Sequence, residues 1–342
     1  MPKILLALLA FVTVPACADI VFPTPEDATA RQLVERYRKD LPMLASPDLL
    51  KVPVPAPQWP CETDQKTLYQ IAGVAMADPE LKADMDKKTR KFMREAGIAA
   101  PTVEQNYSNI KIVPLVAHCE DGKLDGELQL LVSYSLDSVT KMTTMVGEKA
   151  VNMVTTMHSD NVNRIYRTMK AGVALPDHMM VFDATASNSM TADDAQMASA
   201  LSKNKQAPVH TRNVSYFLAS GHTAMFNETP VVKVSSGFLA PSVKTSTALG
   251  SYFTIPSGEN RTRSLGYTNA RLLTSSQTKD GKQHGESIMY MDNVYKALGQ
   301  KLDRQPGMEN ARAVTINGED LIETRTCFQN GVIVKTAECP SE

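Results

Sequence analysis

The sequence predicts an α+β fold in which N-terminal helices and a proline-rich strap precede a β-rich antiparallel body with long hairpins. Three observations carry this prediction. Before residue 100, apolar residues recur at helical spacing between capping signals. From about residue 105, Thr, Val, Ser and Asn rise and turn signals recur, as in strands joined by tight turns. Asn317-Gly318 and Asn330-Gly331 are strong hairpin dipeptides, because a type I′ turn needs positive φ at both positions. The chain accordingly divides into a signal peptide (1–18), a helix with a proline-rich strap (19–60), a helical segment (61–100) and the β-rich body (101–342).

The first element is an export signal. Lys3, the largely apolar run Ile4 to Val14 and a small-residue exit match a secretory signal peptide. The run is too short to span a bilayer, which takes about 20 apolar residues. Ala16-Cys17-Ala18 is an A-x-A site that would release a chain starting at Asp19, and this is the preferred reading. Val14-Pro15-Ala16-Cys17 resembles a bacterial lipobox, which would make Cys17 the lipidated residue and anchor the protein at the outer membrane. The expected location is periplasmic or secreted, with no transmembrane segment in the mature chain.

Thr24-Pro25-Glu26-Asp27 reads as an N-cap with Pro at N1 and acids in the first turn, opening a helix over 25–40 that carries Ala30, Leu33, Val34, Tyr37 and Leu41 on one face. Val52-Pro53-Val54-Pro55-Ala56-Pro57 cannot be helical and predicts an extended strap lying on the body. Helices follow at 64–77 and 79–96, the second opened by Asp78-Pro79 and closed by Gly97. Strands are expected at 110–119, 127–135, 213–220, 231–234 and 251–255. Thr191 predicts a capped helix reaching Lys203, and 292–302 another. Residues 139–180 carry no clear period; their Thr and Val content favours strand.

Composition limits function. The 342 residues hold 36 Lys and Arg against 37 Asp and Glu, a formal charge of −1, with 43% hydrophobic residues. That balance describes an ordinary folded chain and removes the basic footprint of a general nucleic-acid binder. No G-x-S-x-G, H-E-x-x-H, Walker loop or C-x-x-C motif occurs, so no catalytic residue, metal site or cofactor is assigned.

The most specific signal is internal. Asp121-Gly122-Lys123-Leu124-Asp125-Gly126-Glu127 recurs as Asp280-Gly281-Lys282-Gln283-His284-Gly285-Glu286, with five of seven positions identical. Upstream, Tyr107-Ser108-Asn109-Ile110-Lys111-Ile112 aligns with Tyr267-Thr268-Asn269-Ala270-Arg271-Leu272. The two blocks predict a repeated long β-hairpin, 107–135 and 267–291. The Gly-Lys-x-x-Gly-Glu core resembles MORN-type hairpin repeats, which implies a scaffold or a module that contacts protein or lipid. The candidate contact residues are Asp121, Lys123, Asp125 and Glu127 in the first copy, and Asp280, Lys282, His284 and Glu286 in the second. The expected partner is an envelope protein or lipid.

Two other functions compete. A periplasmic hydrolase would use some of His178, His210, His222 and Ser220. A copper protein would use the thioethers of Met142, Met145, Met153, Met157, Met169, Met179, Met180 and Met190 around His158. The remaining cysteines allow two disulfides in an oxidising compartment. Proximity in the chain favours Cys61–Cys119 and Cys327–Cys339. A two-residue turn at Asn330-Gly331 places Cys327 opposite Val334, so that strand must end before Cys339 for the second bond to form.

Overall fold

A computed structural model describes residues 20–95, 102–146, 149–195, 207–236, 241–297, 299–302, 311–316, 318–335 and 339–340. The signal peptide and Cys17 lie outside the described residues. The fold is α+β as the sequence predicts, with the helices mostly N-terminal and a large antiparallel sheet.

Helix α1 (Ala28–Leu44) begins three residues later than the Thr24 cap implies. Asp27 is the N-cap, its carboxylate accepting the Ala30 N–H at 2.7 Å. The Pro25 and Glu26 carbonyls instead accept the Arg31 guanidinium. The helix also runs through Pro42, whose missing donor falls in the last turn. Asp64 caps α2 (Gln65–Ile71), which Gly73 at φ +70° ends well short of residue 77; a 3-10 turn follows at Ala75–Ala77. Asp78 accepts the N–H groups of Glu80 and Leu81 to open α3 (Pro79–Glu95), as expected.

The body is a meander. Its strands are β1 (Thr102–Val116), β2 (Cys119–Glu120), β3 (Lys123–Leu124), β4 (Gly126–Val146), β5 (Lys149–Lys170), β6 (Val173–Ala192), β7 (Val209–Phe217) and β8 (Thr223–Ser236). There follow β9 (Pro241–Gly258), β10 (Arg261–Thr268), β11 (Arg271–Lys279), β12 (Lys282–Gln283), β13 (Gly285–Asp292), β14 (Ala311–Ile316), β15 (Glu319–Gln329) and β16 (Val332–Val334). The sheet order is β1-β4-β5-β6-β7-β8-β9-β10-β11-β13-β15-β14, and every pairing is antiparallel. The described residues of the ambiguous stretch 139–180 lie in β4, β5 and β6, strands of 21, 22 and 20 residues, and in the turn between the last two. Thr191 lies within β6, which ends at Ala192, rather than capping a helix, and residues 196–206 lie outside the described residues. The helix expected at 292–302 is a single turn, α4 (Val294–Ala297).

Adjacent residues of a strand face opposite ways, so the sheet has two distinct faces. Helix α1 covers the first. Ala30, Leu33, Val34 and Tyr37 pack there with Met179, Val181, Tyr216, Phe226, Leu249, Phe253 and Leu265. Tyr37 stacks on Phe226 at 4.2 Å and its hydroxyl donates to Glu228, while the Tyr216 hydroxyl donates to Asp40. Ile71, Ala72 and Val74 cover the second face over Leu124, Leu128, Leu130, Val132, Ile165 and Met169. The proline strap carries the chain from one face to the other. Residues 51–58 are exposed and only Trp59 reaches a core, so the strap does not lie down on the body as expected. Beyond β6 the second face carries exposed side chains: Met225 and Tyr252, paired across β8 and β9, are each 42% exposed.

Asn330 (φ +52°) and Gly331 (φ +87°) form the expected hairpin turn, setting Cys327 opposite Val334. β16 stops at Val334, and the Cys327–Cys339 disulfide closes with a Cα–Cα distance of 5.5 Å. Cys61 and Cys119 are free thiols here, not the expected disulfide. They are in side-chain contact, and desolvation followed by the Cys119 hydrogen bond pushes the Cys61 thiol up to about 11. Among the described residues, no helix is long and apolar enough to cross a membrane.

Candidate functional site

The two recurring heptads adopt one backbone conformation. Asp121 and Asp280 both have φ +49°, Gly122 and Gly281 +76° and +75°, and Gly126 and Gly285 +86° and +82°. Positive φ at the first glycine turns the chain, and nothing lies within 4 Å of a Cβ added at Gly122 or Gly281. Below each turn the same backbone bond closes the loop. Asp125 N–H donates to the His118 carbonyl at 3.1 Å, and His284 N–H to the Gln277 carbonyl at 3.0 Å.

Each tip has a neighbour that the sequence comparison missed. Ala171 (φ +50°) and Gly172 (φ +83°) turn the chain from β5 to β6 beside the first tip, as Asn330-Gly331 does beside the second. Gly172 N–H donates to the Leu124 carbonyl at 2.8 Å, and Gly331 N–H to the Gln283 carbonyl at 2.7 Å. Asp125 accepts the Ala171 N–H on its carboxylate at 2.7 Å, and the His284 ring nitrogen Nδ1 accepts the Asn330 N–H at 3.5 Å. The partner turns share only Gly-Val, Gly172-Val173 and Gly331-Val332, which is too little to stand out in the sequence.

Asp125 and His284 therefore brace one turn to the next rather than reaching into solvent. Asp121, Lys123, Asp280 and Lys282 are exposed at the tips. Glu127 accepts from Gln129 at 2.6 Å. Arg325 Nη1 donates to both carboxylate oxygens of Glu286, at 3.0 and 3.1 Å. Arg325 in turn meets Glu323, which is 3% exposed and also accepts from Arg312, and these arginines hold its carboxyl down to about 2. The second tip pair thus stands above a partly exposed ionic cluster centred on the buried Glu323.

The upstream blocks are not equivalent. Asn109 and Asn269 share a positive φ, +56° and +53°. Asn109 sits in a bulge within the continuous strand β1, where two residues oppose one of β4. Asn269 sits in the reversal between β10 and β11, where Thr268 pairs with Arg271. The like conformation is confined to the tips and their neighbours.

The other candidate residues fall as follows. Among the described residues no group of His, Cys, Asp and Glu is placed to hold a metal ion. His158 lies against Asp137 at 2.7 Å on an exposed part of the sheet, and that hydrogen bond raises its pKa. Met142 opposes Met153, and Met190 opposes Thr155 between Met153 and Met157, so these four thioethers share one face while His158 lies on the other; Met179 and Met169 are buried on opposite faces. His210 pairs with Asp183 at 2.6 Å. His178 stacks on Phe217 at 4.2 Å, and burial lowers its pKa. Ser220 Oγ lies 2.9 Å from His222 Nδ1, and His222 Nε2 lies 3.6 Å from Asp27, which already caps α1. No protein-family model matches the chain, and neither a curated protein nor a solved structure matches it.

Proposed function

We propose that this is an exported, non-enzymatic scaffold of the cell envelope that contacts a protein or lipid partner through its two hairpin tip pairs. One observation carries the reading. Two tip pairs, 159 residues apart in the chain, share the turn conformation, the backbone closure and the inter-turn brace, and each displays an Asp and a Lys to solvent. Hydrogen-bonded braces that fix an exposed charged tip preorganise a contact surface and reduce the ordering cost of binding. The likeness to MORN-type hairpins supports the same reading. The signal-like N-terminus supports export.

The test is capture from envelope extracts with the mature chain as bait. The K123E/K282E double variant is expected to lose the specific partner that the wild-type chain retains. Retention of every partner by that variant would sink the tip-contact reading.

A second reading, hydrolysis, is favoured by the Ser220–His222–Asp27 arrangement alone. A panel of chromogenic esters separates the two. The scaffold reading expects no turnover above background by wild-type protein; turnover abolished in both Ser220→Ala and His222→Ala would install the hydrolase in its place.

A further inference from the structure

We propose that Arg167 forms an oxyanion-binding site on the second face of the sheet, beside the His178 ring, taking the anionic head of an amphiphile whose apolar body lies along the neighbouring strands. The two residues sit directly opposite each other across β5 and β6. Their surroundings are apolar: Leu128 opposes Arg167 from β4, Ile165 and Met169 flank it on β5, and Met180 follows His178 on β6.

Arg167 is half-buried, and its Nε is fully enclosed without a hydrogen-bond partner. Among the described residues its guanidinium makes neither a hydrogen bond nor an ion pair. The contrast with other arginines of the sheet is sharp. Arg164 donates to the Leu49 carbonyl and Gln129, Arg271 meets Asp292 and Glu319, and Arg325 meets Glu286 and Glu323. A cation held in apolar surroundings without a counter-charge costs stability, and an external anion removes that cost. Burial also lowers the Arg167 pKa, with no acidic group offsetting it.

His178 bounds the site as a neutral ring and gives the anion no hydrogen bond, because burial lowers its pKa and leaves Nε2 an acceptor. Its Nδ1–H donates to the Pro176 carbonyl at 2.8 Å, and its ring is held flat against Phe217. The orientation of the imidazole is thereby set before any ligand arrives. From this point the face continues toward exposed side chains, Met225 and Tyr252 at 42% each. Met180, Ser215, Met225 and Tyr252 lie in one cross-strand row over β6, β7, β8 and β9. A guanidinium fork near the exposed Met225 and Tyr252 side chains fits a head group joined to an acyl or other hydrocarbon body.

Isothermal titration of the mature chain at constant ionic strength tests this, with three probes: inorganic phosphate, monomeric dihexanoylphosphatidylglycerol, and phosphatidylcholine vesicles with and without phosphatidylglycerol. Wild-type protein is expected to bind the short-chain anionic lipid at least tenfold tighter than phosphate. Arg167→Met should weaken both at least tenfold without lowering the thermal midpoint, because it removes the unpaired cation while keeping the apolar contacts. Arg167→Lys, which keeps charge but loses the fork, should fall between them. Equal affinity for phosphate and lipid would assign the site to a free anion and discard the apolar part. Binding of all probes by Arg167→Met as tightly as by wild type would overturn the proposal, as would wild-type heats no larger than those with matched sodium chloride.

Discussion

The ionic cluster beneath the second tip pair makes a quantitative prediction about acid. Glu323 is 3% exposed and accepts from both Arg312 and Arg325, and its carboxyl is held from an ordinary 4.5 down to about 2. That depression, at about 1.4 kcal/mol for each tenfold change in proton affinity, corresponds to roughly 3.5 kcal/mol. Arg312 is 61% exposed, so water screens one of the two partners and about 2–3 kcal/mol is expected. The folded-state pKa lies below the unfolded one. The contribution is therefore complete above about pH 4.5 and is lost as pH falls toward 2. Urea unfolding of wild type and Glu323→Gln at several pH values from 7 to 2 measures it. Wild type should be the more stable at pH 7 by about 2–3 kcal/mol plus any penalty for the two unpaired arginines, and the gap should narrow by about 2–3 kcal/mol on acidification. Parallel stability curves across that range would refute the claim that Glu323 is ionised and paired in the folded protein.

Further outcomes follow from other elements. Gly122→Ala and Gly281→Ala meet no neighbouring atom, so each should cost only the backbone strain of positive φ, about 1–2 kcal/mol; a loss above 4 kcal/mol in urea melts would mean the tips carry unseen packing. Tyr37→Ala removes a side chain that is 2% exposed and stacked on Phe226, and should cost about 3–5 kcal/mol in the same assay. Peptide mapping without reductant should recover the Cys327–Cys339 bridge, and air or copper oxidation should add Cys61–Cys119, since those thiols already touch. Persistent alkylation of Cys61 and Cys119 after oxidation would contradict that contact.

How much was legible in the sequence depends on whether a feature is local. The Asn330-Gly331 turn, the Asp78-Pro79 helix start and the end of β16 before Cys339 each follow from a few adjacent residues. The cap of α1 was misplaced because Thr24 and Asp27 are both competent N-caps; only the carboxylate bond to Ala30 decides between them. The long strands β4 to β6 gave no clean alternation because their faces change role along their length. Leu128, Leu130 and Val132 lie under α2, whereas Met142 on the same strand is 45% exposed. The braces from Ala171 to Asp125 and from Asn330 to His284 join residues 46 apart. So does the opposition of Arg167 to His178 depend on strand register, which single residues do not announce.

The tips can be tested in place. A photo-crosslinking residue installed at Lys123, at Lys282 and, as a control, at exposed Lys87 on α3 would report what each site touches in the native envelope. The scaffold account predicts the same adduct at both tips and none of it at the control. Adducts at the tips no different from those at Lys87 would contradict it.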